Sequence, residues 1–425
     1  MAKVITTELQ HSGASGANIT LDSSKNVTCE NNLQVDGNLT VTGTIPADKL
    51  TGALPAISGA SLTGITTRTT PFRNIIINGA MQVAQRGTSS TTSGYATVDR
   101  FTTTWSGQDE APTQEQASLT TSDTGPWAKG FRKALKITNG NQSSGAGAAD
   151  SSQTLYKMEG QDLNHSGWDY ADPNSKITLS FWAKSSVAQT FYIRLRGYAT
   201  GGQMQYYAGF ALAANTWTKV TKTIPGHASL ADIPNNTSTG LFLVWQHYYG
   251  TDYTGTQTEN AWHAKDTANN YPDMTTTWWT TNDATFMLTG VQLEAGDTAT
   301  VFEHKKFQDE LYNCQRYYQQ VGTTTQDGQF CIGASHLTSA GDQTRVGYFG
   351  QNNLRATPTI TEFGDGLRVI GSGSNTPALS IDDINVTPGS AYLQFNATCT
   401  DIGDDNEIVV VTNTANGGIQ ISAEL

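Results

Sequence analysis

Apolar residues enter the first fifty positions in pairs two apart: Ile19 and Leu21, Val27 and Cys29, Leu33 and Val35, Leu39 and Val41. From Val27 onward the pairs recur every six residues, Gly37 and Gly43 follow successive pairs, and Ile45 opens a further unit. Positions i and i+2 share one face of a strand, so each unit reads as a three-residue strand and a turn. A unit with two apolar side chains cannot bury them by itself. So short a series is a poor single-chain solenoid, and the pattern predicts three chains wound about a common axis. Val27, Cys29, Leu33, Val35, Leu39 and Val41 would then form the core of a trimeric stalk. The plainer alternative is an ordinary strand-rich segment with accidental spacing. Pro46 and Pro55 interrupt any helix or central strand in residues 46–70, which read as an extended connector.

From Phe72 the texture changes to recurrent short runs separated by Gly, Asn, Asp and Ser. Lys176–Trp182 alternates with Ile177, Leu179 and Phe181 on one face. Phe191–Arg196 alternates with Phe191, Ile193 and Leu195 inward and Arg194 and Arg196 outward. Residues 132–138, 216–224, 241–249 and 285–293 are further strand candidates. Many short strands without βαβ alternation predict a two-sheet sandwich, plausibly a jelly roll. One helix is expected, because Phe307, Leu311, Cys314 and Tyr318 follow an i, i+4, i+7, i+11 pattern. Residues 322–425 return to strands and close on the alternating run from Ile419 to Leu425. The expected fold is mainly β in three parts. Residues 1–70 form an attachment segment and interwoven trimeric β stalk. Residues 71–321 form a jelly-roll β-sandwich ending in its helix, and 322–425 a distal small β-sandwich.

Composition agrees with this and removes several functions. Only 15% of residues are charged and 37% hydrophobic, with 42 glycines, which suits short strands and turns better than long helices. Nine Trp, sixteen Tyr and fourteen Phe argue against disorder. A net charge of −12 repels phosphate backbones, so nucleic acid is not an expected partner. No stretch approaches the ~18 apolar residues of a membrane span, and the N-terminus lacks a signal-peptide core. Cys29, Cys314, Cys331 and Cys399 show no zinc spacing. Cys314 and Cys331 could pair, though free buried thiols fit better. No metal and no cofactor is expected. The turn Asp401–Glu407 could attract calcium, but it lacks the EF-hand order and reads more simply as a solvated acidic turn.

Candidate chemistry points to binding. A sugar site needs flat aromatic faces for pyranose C–H surfaces, with amides and carboxylates for the hydroxyls. The richest window runs from Trp245 to Trp279, with Trp245, His247, Tyr248, Tyr253, Trp262, Trp278 and Trp279 as glycan-binding candidates. Much of it is a long polar connection, where binding residues concentrate. The competing reading places these aromatics in the core or a trimer interface. If Trp278 and Trp279 lie on a strand, one of them leaves the core. No GxSxG or HExxH string occurs. Carboxylate pairs such as Asp382–Asp383 sit in turns and do not supply a cleaving pair held across a cleft.

Several strings resemble phage tail-fibre and related virion appendage proteins. Asn74–Gly87, followed by Tyr95-Ala-Thr-Val-Asp-Arg-Phe, is similar to the opening of a carbohydrate-binding-like jelly roll in such fibres. Val291-Gln-Leu-Glu-Ala-Gly with Thr300-Val-Phe-Glu-His is similar to its last strand and exit, and Glu310-Leu-Tyr-Asn-Cys-Gln-Arg-Tyr-Tyr to the helix that follows. Leu354–Ile360 and the closing Ser422-Ala-Glu-Leu are similar to C-terminal parts of these proteins, and Gly37–Ile45 to fibre shafts. The resemblance implies a homotrimeric appendage assembled in the host cytoplasm. A tail or head attachment protein would meet it through the N-terminus, and a host surface glycan would be the outer partner. The lack of an apolar span and of catalytic strings in the sequence leads to the expectation of no membrane insertion and no enzymatic activity. A head fibre or decorating spacer is the alternative, and a glycan-cleaving tailspike the second.

Overall fold

A computed structural model describes residues 73–198, 202–322, 354–364 and 417–425 in full, and the backbone of the further strands named below. The chain divides into two compact units, residues 1–67 and 68–425. In the first, β1 (Glu8–Leu9), β2 (Ile19–Leu21) and β3 (Val27–Cys29) form an antiparallel meander. Ile19 stands opposite Cys29 and Leu21 opposite Val27. Two of the apolar pairs therefore occupy facing positions across one hairpin. The expected stalk residues Leu33, Val35, Leu39 and Val41 lie outside the described residues.

The second unit contains a two-sheet antiparallel jelly roll. Its front sheet comprises β5 (Phe101–Ser106), β8 (Ser151–Glu159), β10 (Gln189–Ala199), β11 (Gly202–Leu212), β13 (Thr239–Tyr249) and β14 (Trp262–Ala264), in the order β14-β11-β10-β13-β8-β5. The back sheet comprises β4 (Ser89–Ser90), β6 (Thr113–Ser118), β7 (Lys133–Thr138), β9 (Lys176–Ser185), β12 (Thr218–Pro225) and β15 (Thr285–Ala295), in the order β12-β9-β15-β7-β6-β4. Apart from β6–β7, β10–β11 and β13–β14, successive strands cross from one sheet to the other, and the alternating apolar positions of both sheets meet between them. Ile177, Leu179 and Phe181 of β9 face Phe191, Ile193 and Leu195 of β10 within one core cluster, every one fully buried. Trp245 of β13 packs edge-on to Phe181 at 5.8 Å.

Two bulges adjust this alternation. In β13 one extra residue stands between Gln246 and Tyr248, which turns His247 and Tyr248 into the core together. In β15 the register shifts between Thr289 and Gln292. Gly290 takes φ +64 there, and a Cβ would lie 2.7 Å from the Phe131 ring, so the position requires glycine.

Short helices α1 (Thr124–Trp127), α2 (Gly160–His165) and α3 (Thr277–Thr280) occupy connections. The expected helix is present as α4 (Phe307–Gln315), but it buries a different stripe. Glu310 and Cys314 are buried, as is Tyr317 just beyond the helix, while Phe307 is 54% exposed. Tyr318 already belongs to the next strand. The stripe moved because the carboxylate of Glu310 accepts from the main-chain N–H of Asn78 at 2.7 Å, a long-range bond that apolar periodicity does not encode. Cys314 is a free, buried thiol, which removes a Cys314–Cys331 pairing.

The remaining strands form three small antiparallel sheets. β16 (Tyr318–Thr323) and β19 (Thr359–Gly364) flank β25 (Gly417–Ser422). β17 (Cys331–Leu337), β24 (Asn406–Thr412), β20 (Leu367–Gly371) and β21 (Ser374–Thr376) form the second, and β18 (Gln343–Phe349), β23 (Tyr392–Thr398) and β22 (Ser380–Asn385) the third. β16 crosses position 321/322, and the chain returns through β25 to the jelly roll. Residues 401–405 of the acidic turn lie outside the described residues.

Six of the strings that carry the resemblance meet at this return. Asn78, at φ 61, donates from its side chain to Val83 O and Asp99 O. A Cβ on Gly79 would lie 2.1 Å from Val291 O. Asp99 accepts from Gln85, which also donates to Tyr318 O. Arg316 grips Glu159 with two bonds of 3.0 Å, and the Tyr317 hydroxyl donates to the same carboxylate at 2.6 Å. Arg355 donates to Ala423 O, Glu424 O and Thr237 O. These residues hold the module together, and their polar atoms are occupied by one another.

Candidate functional site

Five of the seven sequence-derived candidates are core residues. Trp245, His247, Trp278 and Trp279 are 0% exposed and Tyr248 is 3% exposed, so none can stack on a sugar. Trp278 and Trp279 sit on the one-turn helix α3, not on a strand. Neighbours on a helix diverge by only about 100°, so both rings turn inward. Trp279 stacks on Tyr248 at 5.3 Å, and Asn139 Nδ2 donates to Trp279 O at 2.6 Å. His247 lies 5.3 Å from the Trp278 ring and 4.7 Å from that of Phe286. Its Nδ1 is 3.0 Å from the Ser152 hydroxyl, and burial pushes its pKa down to about 3. It is a neutral core histidine. Trp262 is half-buried against Tyr206, its Nε1 donating to Pro225 O at 2.7 Å. Only Tyr253 keeps a half-exposed ring on the face described next.

That face is the outer side of the front sheet, where registers set out rows of side chains. Gln205, Arg196, Phe242 and Lys157 form one row across β11, β10, β13 and β8. Tyr207, Arg194, Val244 and Leu155 form the next, and Tyr192, Gln246 and Gln153 follow on β10, β13 and β8. The connection 250–275 folds over one half. Tyr271 buries itself against Tyr192 and Tyr207. Asn270 Oδ1 accepts from Arg194 Nη1 at 2.7 Å. At the other end, Lys157 Nζ donates to the main-chain oxygen of Leu425. Between these boundaries lie Tyr198, 37% exposed, with half-buried Arg196, Leu155 and Gln153. The Tyr249 and Tyr253 rings stack at 4.5 Å on the loop side.

The electrostatics of this face differ from those of the rest of the module. The Arg196 guanidinium lies 4.1 Å from the centre of the Phe242 ring, and burial together with the like charge of Arg194 holds it below its ordinary range. Burial raises Tyr207 and Tyr271 to about 12, so both stay neutral donors. Buried polar atoms without a hydrogen-bond partner concentrate here: Gln153 Oε1, Arg194 Nε, Arg196 Nε, Gln205 Oε1, Tyr207 OH, Gln246 Oε1, His263 Nε2 and Tyr271 OH. Such atoms are uncommon in folded proteins and call for an explanation. Sequence alternation placed Arg194 and Arg196 outward. The signal that went unused is Tyr192, Arg194, Arg196 and Tyr198 falling on one face of one strand.

A concavity of about 400 Å³ lies between α2, α4 and residues 74–77, lined by Ile75, Ile77, Asp162, His165, Tyr312 and Arg316 among others. Arg316 is already bound to Glu159 at its floor. Among the described residues no group of three or more His, Cys, Asp or Glu is arranged to hold a metal ion, and no helix is long and apolar enough to cross a membrane.

No family model and no curated protein matches the chain. Among solved structures, it is similar to the enzymatically active domain of bacteriophage CBA120 tailspike protein 4, at 10% identity over 53% of this chain and 22% of that one, with a TM-score of 0.28. It is also similar to the family 11 carbohydrate-binding module of Clostridium thermocellum, at 10% identity over 51% of this chain and 98% of that one, TM-score 0.24. A third is the N-terminal cellulose-binding domain of Cellulomonas fimi β-1,4-glucanase C, at 12% identity over 51% and 99%, TM-score 0.24.

Proposed function

We propose that the chain is a homotrimeric phage tail fibre whose jelly roll recognises a host surface glycan on the outer face of its front sheet. The observation that carries this reading is the strip between the loop 250–275 and Leu425. It presents rings (Tyr198, Tyr249, Tyr253), an amide (Gln153) and a guanidinium (Arg196), with polar atoms left unpartnered in its floor. Rings that cover apolar sugar faces and fixed polar groups that meet hydroxyls are what a glycan requires. Weak sites repeated by threefold symmetry would gain from multivalency. The virion setting rests on the resemblance of the strings quoted above, and the trimer on the apolar pairs from Val27 to Val41.

Glycan-array binding by the purified chain tests the site. The expected result is saturable binding that Tyr198→Ala weakens; absence of binding to every glycan would overturn the reading. Sedimentation should give the mass of a trimer, and a stable monomer would overturn the assembly. Release of reducing ends from host polysaccharide would replace binding with cleavage.

A further inference from the structure

We propose that the glycan taken by this face is anionic, and that Arg196 is the contact for its carboxylate or sulfate group. The inference rests on the glycan reading above and adds the charge of the ligand. The protein carries a net charge of −12, so cations have ample opportunity to find carboxylate partners. Three arginines elsewhere in the module do so, Arg86 and Arg100 meeting Glu424 and Arg316 meeting Glu159, while Arg73, Arg132 and Arg355 spend their donors on main-chain carbonyls. Arg194 and Arg196 form no ion pair with any described carboxylate. Arg194 donates to a neutral amide, Asn270 Oδ1. The groups that bear most on Arg196 are Arg194, Tyr198, Tyr271 and Tyr249, none of them an acid, and Lys157 of the same cross-strand row adds a further positive charge.

Two acids of the covering loop are committed elsewhere. Glu259, on the covering loop, accepts from Gly209 N at 2.9 Å, and Asp273 from the Thr254 hydroxyl at 2.6 Å. Two like charges one alternate position apart on a strand repel each other, and partial burial strengthens that repulsion. A guanidinium held against Phe242, its Nε buried and its two Nη groups outside the set of buried atoms, can offer those Nη groups to an anionic oxygen pair. An anionic sugar would relieve the Arg194–Arg196 repulsion as it binds; a neutral sugar would leave it in place.

The test uses the full chain and matched pairs of oligosaccharides. Uronic-acid and sialylated glycans are paired with their carboxyl-reduced forms, and sulfated glycans with their desulfated forms. The expected result is at least ~10-fold tighter binding of the charged member in one of these arms, since a hydrogen bond to a charged group is worth roughly 1.5–3 kcal/mol. Which arm responds distinguishes carboxylate from sulfate. Arg196→Gln should abolish the preference, so that the charged and neutral members of each pair bind equally. Arg196→Lys, which keeps the charge and loses the fork, should retain part of it. Thermal unfolding of each variant separates misfolding from lost contact, and the wild-type preference is read without any variant. Equal binding of both members of every pair, or a preference that survives Arg196→Gln in folded protein, would overturn this inference and leave glycan recognition standing. Binding of no member of any pair would overturn both.

Discussion

Arg100 Nη1 lies 2.5 Å from Glu424 Oε2, an ion pair between residues 324 positions apart. Arg100 is 1% exposed, and its guanidinium sits 3.4 Å from the centre of the Tyr317 ring. Arg86 reaches the other Glu424 oxygen at 3.3 Å while stacking on Tyr318 at 3.5 Å. One carboxylate near the end of β25 thus serves two arginines from the opening of the jelly roll, and two consecutive tyrosines after α4 cover them. Strings that suggested a fibre by resemblance are, in three dimensions, a latch that closes the module on its own C-terminal strand.

The latch has a measurable strength. Glu424→Gln keeps the side-chain size and leaves Arg100 buried without its counter-charge. Breaking one side of a buried pair costs about 3–5 kcal/mol, and urea unfolding should show a loss of that order. Glycan affinity of the folded variant should be unchanged, because the Glu424 carboxylate is occupied by Arg86 and Arg100 rather than offered to the strip. A loss below ~1 kcal/mol would mean that the pair is peripheral to stability.

Trp279→Ala separates core from surface. The ring is fully buried against Tyr248, so its removal should cost about 3–5 kcal/mol. The fraction that remains folded should bind as wild type. A stable Trp279→Ala protein with selectively lost binding would return this residue to the site.

Tyr253→Ala and Tyr198→Ala should do the reverse. Both rings are partly exposed at the strip, so unfolding midpoints should move little, within roughly 1 kcal/mol. Loss of one stacked ring should weaken glycan binding by about fivefold or more, on the order of 1 kcal/mol. Titration calorimetry on an array-identified ligand gives the comparison.

His247 supplies a pH signature. Its folded pKa of about 3 lies below the ordinary 6.5, so between those values the unfolded chain binds the proton more tightly. Stability from this group is present above pH ~6.5 and is lost as pH falls toward 3. Asp99 acts oppositely: burial raises it to about 6, so its contribution is present below the ordinary carboxylate value and is lost as pH rises through 6. Asp99 is common to both proteins when wild type is compared with His247→Gln. The stability difference between them should therefore shift in favour of the variant from pH 7 to pH 4.5, by about 1–3 kcal/mol. Urea midpoints at the two pH values measure it, and a difference that does not change with pH would show that His247 is not buried neutral.

The fold class was legible because alternation is a local signal. Ile177, Leu179 and Phe181, and Phe191, Ile193 and Leu195, point inward where the two-residue period puts them. The helix was legible in place but not in face, since the face is chosen by the Glu310–Asn78 bond across 232 positions. The aromatic window was misread for two local reasons. An extra residue at His247 resets the period of β13, and α3 replaces an expected strand with one helical turn.

By itself, then, the sequence determined what local periodicity and composition can carry: a β-rich chain, its strand faces, and an outward Arg194 and Arg196. Tertiary structure alone decided which outward side chains stay uncovered. The connection 250–275 buries Tyr192, Tyr207 and Arg194 and leaves Tyr198 and Arg196 at the surface. A loop's landing place depends on contacts between residues distant in the chain, such as Asn270 with Arg194 across 76 positions. No spacing along the chain records such a contact, so the position of the site is a property of the fold.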